Sequence, residues 1–255
     1  MKQLLKTSLF SLLIFAFLSI NFYKYVNAYQ ECDHTRLKRT ISSNKKNVFL
    51  LVVVYKKENG QFAVSVGTAF VVNKSGTLAT ARHMFLGKRI LTVYLLIPDG
   101  DKFFIRSPYF VRLHKITDVA IFKVRYRFKT QVKITRSDEL KSSDLIYYIG
   151  YPVISNNLLV PQKVSIDRFF GYTKMSNKYR YIKYVSQMSR VAAMGGASGS
   201  PLFNHYGRLV GIIVFTSTPH KHSPNFTGSV PIRYLFELLS KKSSLYVDIN
   251  IKSHK

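Results

Sequence analysis

Short apolar runs separated by turn-forming residues make up most of the chain after position 47. Val48–Tyr55 is a β-branched run, Gln61–Val72 alternates around Gly67, and Leu91–Ile97 stops at a Pro-Asp-Gly turn. Similar runs follow at Phe103–Ile105, Phe110–Leu113, Val119–Val124, Leu145–Tyr148, Val164–Phe170, Tyr181–Val185 and Leu209–Phe215. Many short strands with Gly, Pro, Asn and Ser between them are typical of an all-β barrel or sandwich.

One helix is predicted near the C-terminal end of the chain. Ser229 is a candidate N-cap, and Pro231 suits the first turn of a helix. The residues that follow place an apolar stripe on one helical face: Ile232, Leu235, Phe236 and Leu239. We expect this stripe to pack against the core.

The first 28 residues have the three-part layout of a secretory signal peptide. Lys2 and Lys6 precede the uncharged apolar run Leu9–Phe22, and the small or medium residues Val26–Ala28 follow. The apolar run is shorter than the ~20 residues that a membrane-spanning helix needs. An uncleaved anchor is the alternative. We expect cleavage near Ala28 and a secreted or periplasmic mature protein.

Composition adds constraints on stability and partners. The 255 residues are 47% hydrophobic, which is enough for a packed core and excludes disorder as the main state. The formal charge is +27, from 39 Lys and Arg against 12 Asp and Glu, so an acidic partner is expected. The single cysteine, Cys32, excludes an internal disulfide framework and a cysteine-rich zinc site. His205, His220 and His222 have no carboxylate close in sequence, so neither a metal nor a cofactor is predicted.

One basic segment is either a solvated face that aids solubility or a place where an acidic partner binds. Four cations, Lys123, Arg125, Arg127 and Lys129, alternate with Val, Tyr and Phe. In a β-strand this spacing would place all four on one face. Tyrosines surround Arg180, but they match no nucleic-acid-binding module, so no obligate nucleic-acid partner is predicted. An anionic surface or polymer remains a candidate partner.

Three segments carry residue types suited to nucleophilic catalysis: Thr80–His83, Asp118–Ile121 and Gly195–Pro201. A serine hydroxyl becomes a nucleophile when a histidine accepts its proton and a carboxylate orients that histidine. His83, Asp118 and Ser198 are the candidates for these roles. In the glycine-rich turn, the backbone N–H groups of Gly196 and Ser198 are candidate donors to a developing oxyanion.

As a set, these segments resemble the T-A-x-H, D-[IVL]-A-[LI] and G-x-S-G-[GS]-P motifs of chymotrypsin-like (trypsin-like) serine peptidases. The Gly-Ser-Pro ending, with Phe203 and Asn204 after it, is most similar to bacterial glutamyl-endopeptidase-like members. The resemblance covers about residues 48–240. It implies two antiparallel six-stranded β-barrels with a C-terminal α-helix. The implied division is a signal peptide (1–28), a basic N-terminal arm (29–46), a first barrel with His83 and Asp118 (47–135), a second barrel with Ser198 and the helix (136–240), and a tail (241–255).

Alignment with the family also implies which residues border the substrate pocket: Ala192, Ala193, Met194, Val214, Phe215 and Thr216. None of them is acidic, so the charged partner for a substrate Lys or Arg is missing. Ile213 lies near the position where glutamyl endopeptidases use a histidine. We therefore expect a small-to-medium apolar residue before the scissile bond.

Two functions remain open at this point. The first is a secreted serine endopeptidase that acts on protein or peptide substrates through a Ser-His-Asp triad and an acyl-enzyme intermediate. The alternative is a secreted cationic binding protein on the same fold with a weak or inactive site. The presence of all three triad residues favours the endopeptidase.

Overall fold

The computed structural model describes residues 34–87, 89–100, 102–134, 140–154, 158–159, 162–176, 183–189, 195–216, 227–240 and 246–250. Most of these residues lie in β-strands, so the predicted all-β class is confirmed. The predicted signal peptide, Cys32, His220 and His222 lie outside the described residues. Within the described part of the chain, no helix is long and apolar enough to cross a membrane.

Seventeen strands appear in the described residues. In chain order they are β1 Val48–Lys56, β2 Phe62–Asn73, β3 Thr77–Thr80, β4 Arg89–Asp99, β5 Lys102–Arg106, β6 Pro108–His114, β7 Ala120–Val124, β8 Lys133–Ile134, β9 Leu145–Gly150, β10 Val153–Ile154, β11 Leu158–Leu159, β12 Lys163–Ser176, β13 Lys183–Ser189, β14 Pro201–Asn204, β15 Arg208–Thr216, β16 Thr227–Pro231 and β17 Tyr246–Asn250. Helix α1 covers residues 34–45, a 3₁₀ helix covers Arg82–Met84, and helix α2 covers Arg233–Leu239.

The first sheet has eight strands in the order β17-β6-β7-β3-β2-β1-β4-β5. All its neighbouring strands pair antiparallel. Alternating β-branched and aliphatic residues in β1 send Leu51 and Val53 into the core, where both are fully buried. Phe70 from β2 and Phe122 from β7 are fully buried as well.

The second sheet has seven strands in the order β14-β9-β12-β13-β16-β15-β8. Because β14 also pairs with β15, the first six of these strands form a closed ring. Strand β8 pairs parallel with β15 on the outside of the ring. The core beside this sheet is a cluster of eight buried residues: Leu140, Ile146, Tyr148, Phe169, Ala197, Leu202, Val210 and Ile213.

The strand count differs from two six-stranded barrels mainly at the edges of the first sheet. Strand β17 comes from the segment expected to be a tail and pairs with β6 from Tyr246↔His114 to Asn250↔Phe110. Helix α1 lies in the segment expected to be a basic arm. Near its end, the buried Asn44 side chain donates to the Tyr147 hydroxyl (2.9 Å) and to the Gly207 carbonyl (3.0 Å).

The prediction that four cations share one strand face was wrong. Strand β7 ends at Val124, so only Lys123 of the four lies in a strand. The Tyr126 N–H donates to the Val124 carbonyl (2.9 Å), which turns the chain. This turn brings the ring of Phe128 onto Phe49 (5.4 Å between centroids), where Phe128 is buried. Burial of Phe128 therefore outweighs continuation of the strand.

The C-terminal helix exists, but its predicted start and buried face were partly wrong. Ser229 is buried in β16 and is not an N-cap, and α2 begins at Arg233. Ile232, Leu235 and Leu238 are buried, whereas Phe236 and Leu239 are only half-buried. The strand runs through Pro231, so the helix starts later and turns a different set of residues inward.

Candidate active site

The side chains of His83 and Asp118 meet at one edge of the first sheet. Strands β3 and β7 pair antiparallel with Thr80 opposite Ala120, so the residues after β3 and before β7 are neighbours. His83 Nδ1 lies 2.6 Å from Asp118 Oδ2, and the His83 backbone N–H donates to Asp118 Oδ1 (2.8 Å). One carboxylate therefore fixes both the ring and the backbone of His83.

This pairing determines what the imidazole can do chemically. A carboxylate that accepts the Nδ1 proton leaves Nε2 unprotonated and able to accept a proton. The same carboxylate stabilises the imidazolium that forms when Nε2 takes that proton. The His83 side chain is 43% exposed, so the ring can be reached from solvent.

Arg82, the residue before His83, holds the loop that carries Asp118. Its Nη1 donates to the carbonyl oxygens of His114 (2.6 Å) and Lys115 (2.7 Å). The His114 N–H donates to the Val119 carbonyl (3.0 Å), which closes the loop. Sequence analysis did not assign a role to Arg82, because a motif position that varies among family members gives no signal.

The fully buried imidazole of His114 links the loop that carries Asp118 to helix α2. His114 Nδ1 accepts the backbone N–H groups of Ile116 (3.2 Å) and Thr117 (3.1 Å), so its proton is on Nε2. Nε2 donates to Glu237 (2.9 Å). Burial lowers the pKa of His114, although Glu237 partly opposes this effect and Arg82 adds to it. The ring is therefore a neutral structural link.

Ser198 lies half-buried in a tight turn that requires glycine two positions before it and directly after it. Gly196 and Gly199 have φ angles of +84° and +87°, which side-chain-bearing residues rarely adopt. A Cβ at Gly199 would also overlap the Thr68 carbonyl oxygen and Thr80 Oγ1. The turn thus packs directly against β2 and the end of β3.

Further hydrogen bonds fix the peptide groups of this turn. The Gly199 N–H donates to the Ile213 carbonyl (2.7 Å), and the Ser200 N–H donates to the Ala197 carbonyl (2.9 Å). The C=O and N–H of a trans peptide point in opposite directions. The Ala197 carbonyl and the Ser198 N–H belong to one peptide group. Since this carbonyl points toward the Ser200 amide, the Ser198 N–H points away from it.

Thr68 connects the serine turn to the segment that carries His83. Its N–H donates to the Ser198 carbonyl (2.8 Å), and its Oγ1 donates to the Gly196 carbonyl (2.9 Å). Its own carbonyl accepts the Thr80 hydroxyl (2.7 Å), three residues before His83. Oγ1 also accepts the Tyr151 N–H (3.0 Å).

Sequence analysis missed Thr68. The sequence signal for its role was a hydroxyl residue between Gly67 and the apolar run that begins at Ala69. In the structure this residue is fully buried. A buried hydroxyl in a strand needs partners, and here they are backbone groups of the serine turn. Such partners are distant in sequence and become visible only in the folded chain.

Only some of the residues predicted to border the substrate pocket lie among the described residues. Val214 and Phe215 lie on β15, and the backbone of Thr216 ends that strand. A Cβ at Gly228 on β16 would overlap the Phe215 ring, so the ring lies directly on that glycine. Ala192, Ala193 and Met194 lie outside the described residues. In the part of the chain that the structure describes, no group of three or more His, Cys, Asp or Glu could hold a metal ion.

Residues 67–212 match the family described as the trypsin-like peptidase domain. Among curated proteins, the chain is similar to a probable periplasmic serine endoprotease DegP-like from Hahella chejuensis, at 26% identity over 190 residues. It is also similar to the mitochondrial serine protease HTRA2 of Drosophila virilis, at 22% identity over 181 residues. These alignments cover 73% and 71% of this chain but only 37% and 40% of the relatives.

Solved structures of proteases share the fold. The active form of the Rv3671c protease from M. tuberculosis superposes with a TM-score of 0.61 at 17% identity, over 80% of this chain and 84% of that chain. Deg5 superposes with a TM-score of 0.60 at 17% identity, over 80% of this chain and 92% of that chain. At this level of identity, the likeness concerns the fold.

Proposed function

The chain belongs to the trypsin-like peptidase domain family, and on this premise we propose that it is a serine endopeptidase with the triad His83, Asp118 and Ser198. The observation that carries the proposal is the 2.6 Å contact between His83 Nδ1 and Asp118 Oδ2. The serine turn, fixed by Thr68 to the segment leading into His83, supports it.

In the acylation step, Ser198 Oγ attacks the carbonyl carbon of the peptide bond while His83 Nε2 takes the hydroxyl proton. The tetrahedral intermediate collapses, the C–N bond breaks, and His83 gives the proton to the leaving amine. Water then attacks the acyl-enzyme with His83 again as the base, which releases the acid and restores Ser198. Asp118 stays ionised throughout and stabilises the imidazolium.

The negative oxygen of each tetrahedral intermediate would be bound by the N–H groups of Gly196 and Ser198. The bonds at the Gly196, Ala197 and Ser198 carbonyls support this assignment, because they hold the turn rigid before substrate arrives. Donors that are fixed in advance need no reorganisation during the reaction. Loss of one such donor typically lowers kcat by roughly 10²–10³-fold.

The proposed substrate is a protein or peptide with a small-to-medium apolar residue before the scissile bond. Phe215 packed on Gly228 supports this preference, because the ring occupies space that a long substrate side chain would need. Val214 and Phe215 also offer no charge to a substrate Lys, Arg or Glu. The glutamyl-endopeptidase-like subtype remains a prediction from the Gly-Ser-Pro ending.

We infer that the two sheets are extended forms of the two six-stranded barrels of the family. The closed ring formed by β9, β12 to β16 supports this for the second sheet. We also propose a secreted or periplasmic location. Its support is the leader-like N-terminal segment and the similarity to a relative described as periplasmic.

The test is peptidase activity of the purified protein and of two serine variants. Ser198→Ala should lower kcat by about 10⁶-fold, because the nucleophile is lost. Ser200→Ala is the matched control in the same turn and should retain activity within about threefold, since it removes a hydroxyl without a role in the reaction. Undiminished hydrolysis by Ser198→Ala would contradict the proposal, and absence of hydrolysis by the unmodified protein would favour a binding protein with an inactive site.

A further inference from the structure

A cavity of about 730 Å³ lies at the tip of the β1–β2 hairpin, open to solvent. Its walls come from the end of β1, the hairpin turn, Gly87 and the first residue of β4. The charged side chains in its lining are Lys56, Lys57, Arg89 and Glu58. Three cations therefore face one carboxylate.

The strand register concentrates positive charge in this cavity. Lys56 in β1 lies directly opposite Arg89 in β4. Like charges at directly opposite positions of antiparallel strands destabilise a sheet. Among the described residues, neither Lys56 nor Arg89 makes an ion pair, and Glu58 is the one carboxylate in the lining, so the cavity keeps an excess of positive charge. A bound anion would offset it.

The cavity has a defined shape because its walls are held by backbone bonds. The Lys57 N–H donates to the Gln61 carbonyl (2.8 Å), and the Gly60 N–H donates to the Lys57 carbonyl (2.9 Å). Gly60 has a φ of +84°, which lets the hairpin turn tightly. Asn59 Nδ2 donates to Gln61 Oε1 (3.1 Å), which adds a side-chain bond across the turn.

The cavity also lies near the proposed catalytic histidine. Gly87 in its wall is four residues after His83, so their Cα atoms are at most ~14 Å apart. The N–H groups of Phe85 (2.9 Å) and Leu86 (3.0 Å) both donate to the Arg82 carbonyl, and this turn shortens the path. Phe85 is buried, which anchors the connection in the core.

We propose that this cavity binds an acidic side chain of the peptide substrate. An extended peptide advances about 3.4 Å per residue, so about four residues of substrate would span the ~14 Å that at most separates His83 from the cavity wall at Gly87. The inference rests on the proposed endopeptidase function and adds a second specificity determinant to it. Lys56 and Arg89 are the residues that select the carboxylate, and Lys57 adds to the attraction.

The test compares cleavage of fluorogenic peptides in which each position around the scissile bond carries Glu or Gln in turn. Glu and Gln have nearly the same shape, so the ratio of kcat/KM values isolates the charge. At one position, the Glu peptide should have a kcat/KM about fivefold higher than the Gln peptide, because its carboxylate forms two partly exposed ion pairs, with Lys56 and with Arg89. The preference should weaken as salt is raised, because the cavity is open to solvent.

The double variant Lys56→Gln/Arg89→Gln should abolish this Glu preference and raise KM for the Glu peptide. The control Lys133→Gln/Lys141→Gln removes the same charge from exposed positions assigned neither to this cavity nor to the catalytic site, and it should keep the preference. An unchanged preference in Lys56→Gln/Arg89→Gln would overturn the inference, as would a protein that prefers Glu at no position.

Labelling of the serine with a fluorophosphonate separates this result from a failure of the proposed function. All these variants should label at the same rate as the unmodified protein, because a small probe does not reach the cavity. Labelling without any Glu preference would overturn the acidic subsite alone. Absence of labelling would overturn the endopeptidase and the subsite together.

Discussion

Replacing Thr68 by valine tests whether this residue positions the serine turn. Valine has nearly the shape of threonine, so the packing of the fully buried side chain is preserved while the hydroxyl is lost. The backbone bond from residue 68 to the Ser198 carbonyl remains. The Gly196 carbonyl loses its donor and the Tyr151 N–H loses its acceptor.

The size of the effect follows from these two lost bonds. A buried polar group left without a partner destabilises the folded state by about 1–3 kcal/mol. Gly196 is buried and Tyr151 is half-buried, so we expect the free energy of unfolding to fall by about 2–4 kcal/mol. If the turn also loses its fixed orientation, kcat should fall by about 10–100-fold with little change in KM, because the oxyanion donors act in the transition state.

Urea unfolding and steady-state peptide hydrolysis measure the two effects separately. Thr68→Ser is the matched control, because it keeps the hydroxyl and removes only a methyl group. It should recover most of kcat, within about threefold of the unmodified protein. If Thr68→Val loses stability but keeps kcat, and Thr68→Ser does the same, Thr68 has a structural role only and the argument for positioning is refuted.

The other predictions concern the Asp118 loop and the serine turn. Arg82→Gln should lower kcat by about tenfold in peptide hydrolysis, because the loop loses two short carbonyl bonds; unchanged kcat would show that the loop is held without Arg82. Burial lowers the pKa of His114 from 6.5, so the unfolded chain binds a proton more tightly. The resulting stability is present above about pH 6.5 and is lost as pH falls toward the folded pKa. In urea unfolding at several pH values, His114→Asn should lose less stability on acidification, and an equal loss would contradict this. Ser200 Oγ is buried without a partner among the described residues. Ser200→Ala should therefore leave the melting temperature unchanged or raise it, with a gain of up to about 1 kcal/mol, and a clear drop would reveal a bond to that hydroxyl.

The sequence predicted those parts of the fold that local patterning determines. The β-branched run at the start of β1 and the apolar run in β4 could be read directly, since strand alternation depends on neighbouring residues. Strand β17 could not be predicted, because a short edge strand is defined by its partner β6 and not by its own pattern. The end of β7 at Val124 depends on burial of Phe128 against Phe49, which are far apart in sequence.

The same distinction between local and long-range information applies to the candidate site. His83, Asp118 and Ser198 could be proposed from the sequence because each lies in a short motif with its own chemistry. The residues that support them could not be found, because Thr68, Arg82 and His114 act through bonds to backbone groups elsewhere in the chain. Backbone partners leave no residue-type signal in the sequence.

Strong positive charge does not decide between a peptidase and a binding protein, because either can carry it. In the proposed account, the charge contributes to substrate selection at Lys56 and Arg89, beside the His83 segment. Among the described residues, several other cations lie over aromatic rings, such as Arg106 over Phe104 (5.6 Å) and Arg125 over Tyr109 (5.8 Å). Such pairs stabilise exposed strands modestly, by about 0.5–1 kcal/mol each.

Mapping the site of covalent labelling by a fluorophosphonate tests the central claim most directly. The reagent forms a bond between its phosphorus and an activated serine oxygen, so it reports on the nucleophile without any assumption about the substrate. The account predicts one adduct per chain, located by peptide mass spectrometry on Ser198 and lost in His83→Ala. An adduct on Ser200, or no adduct with the folded protein, would contradict it.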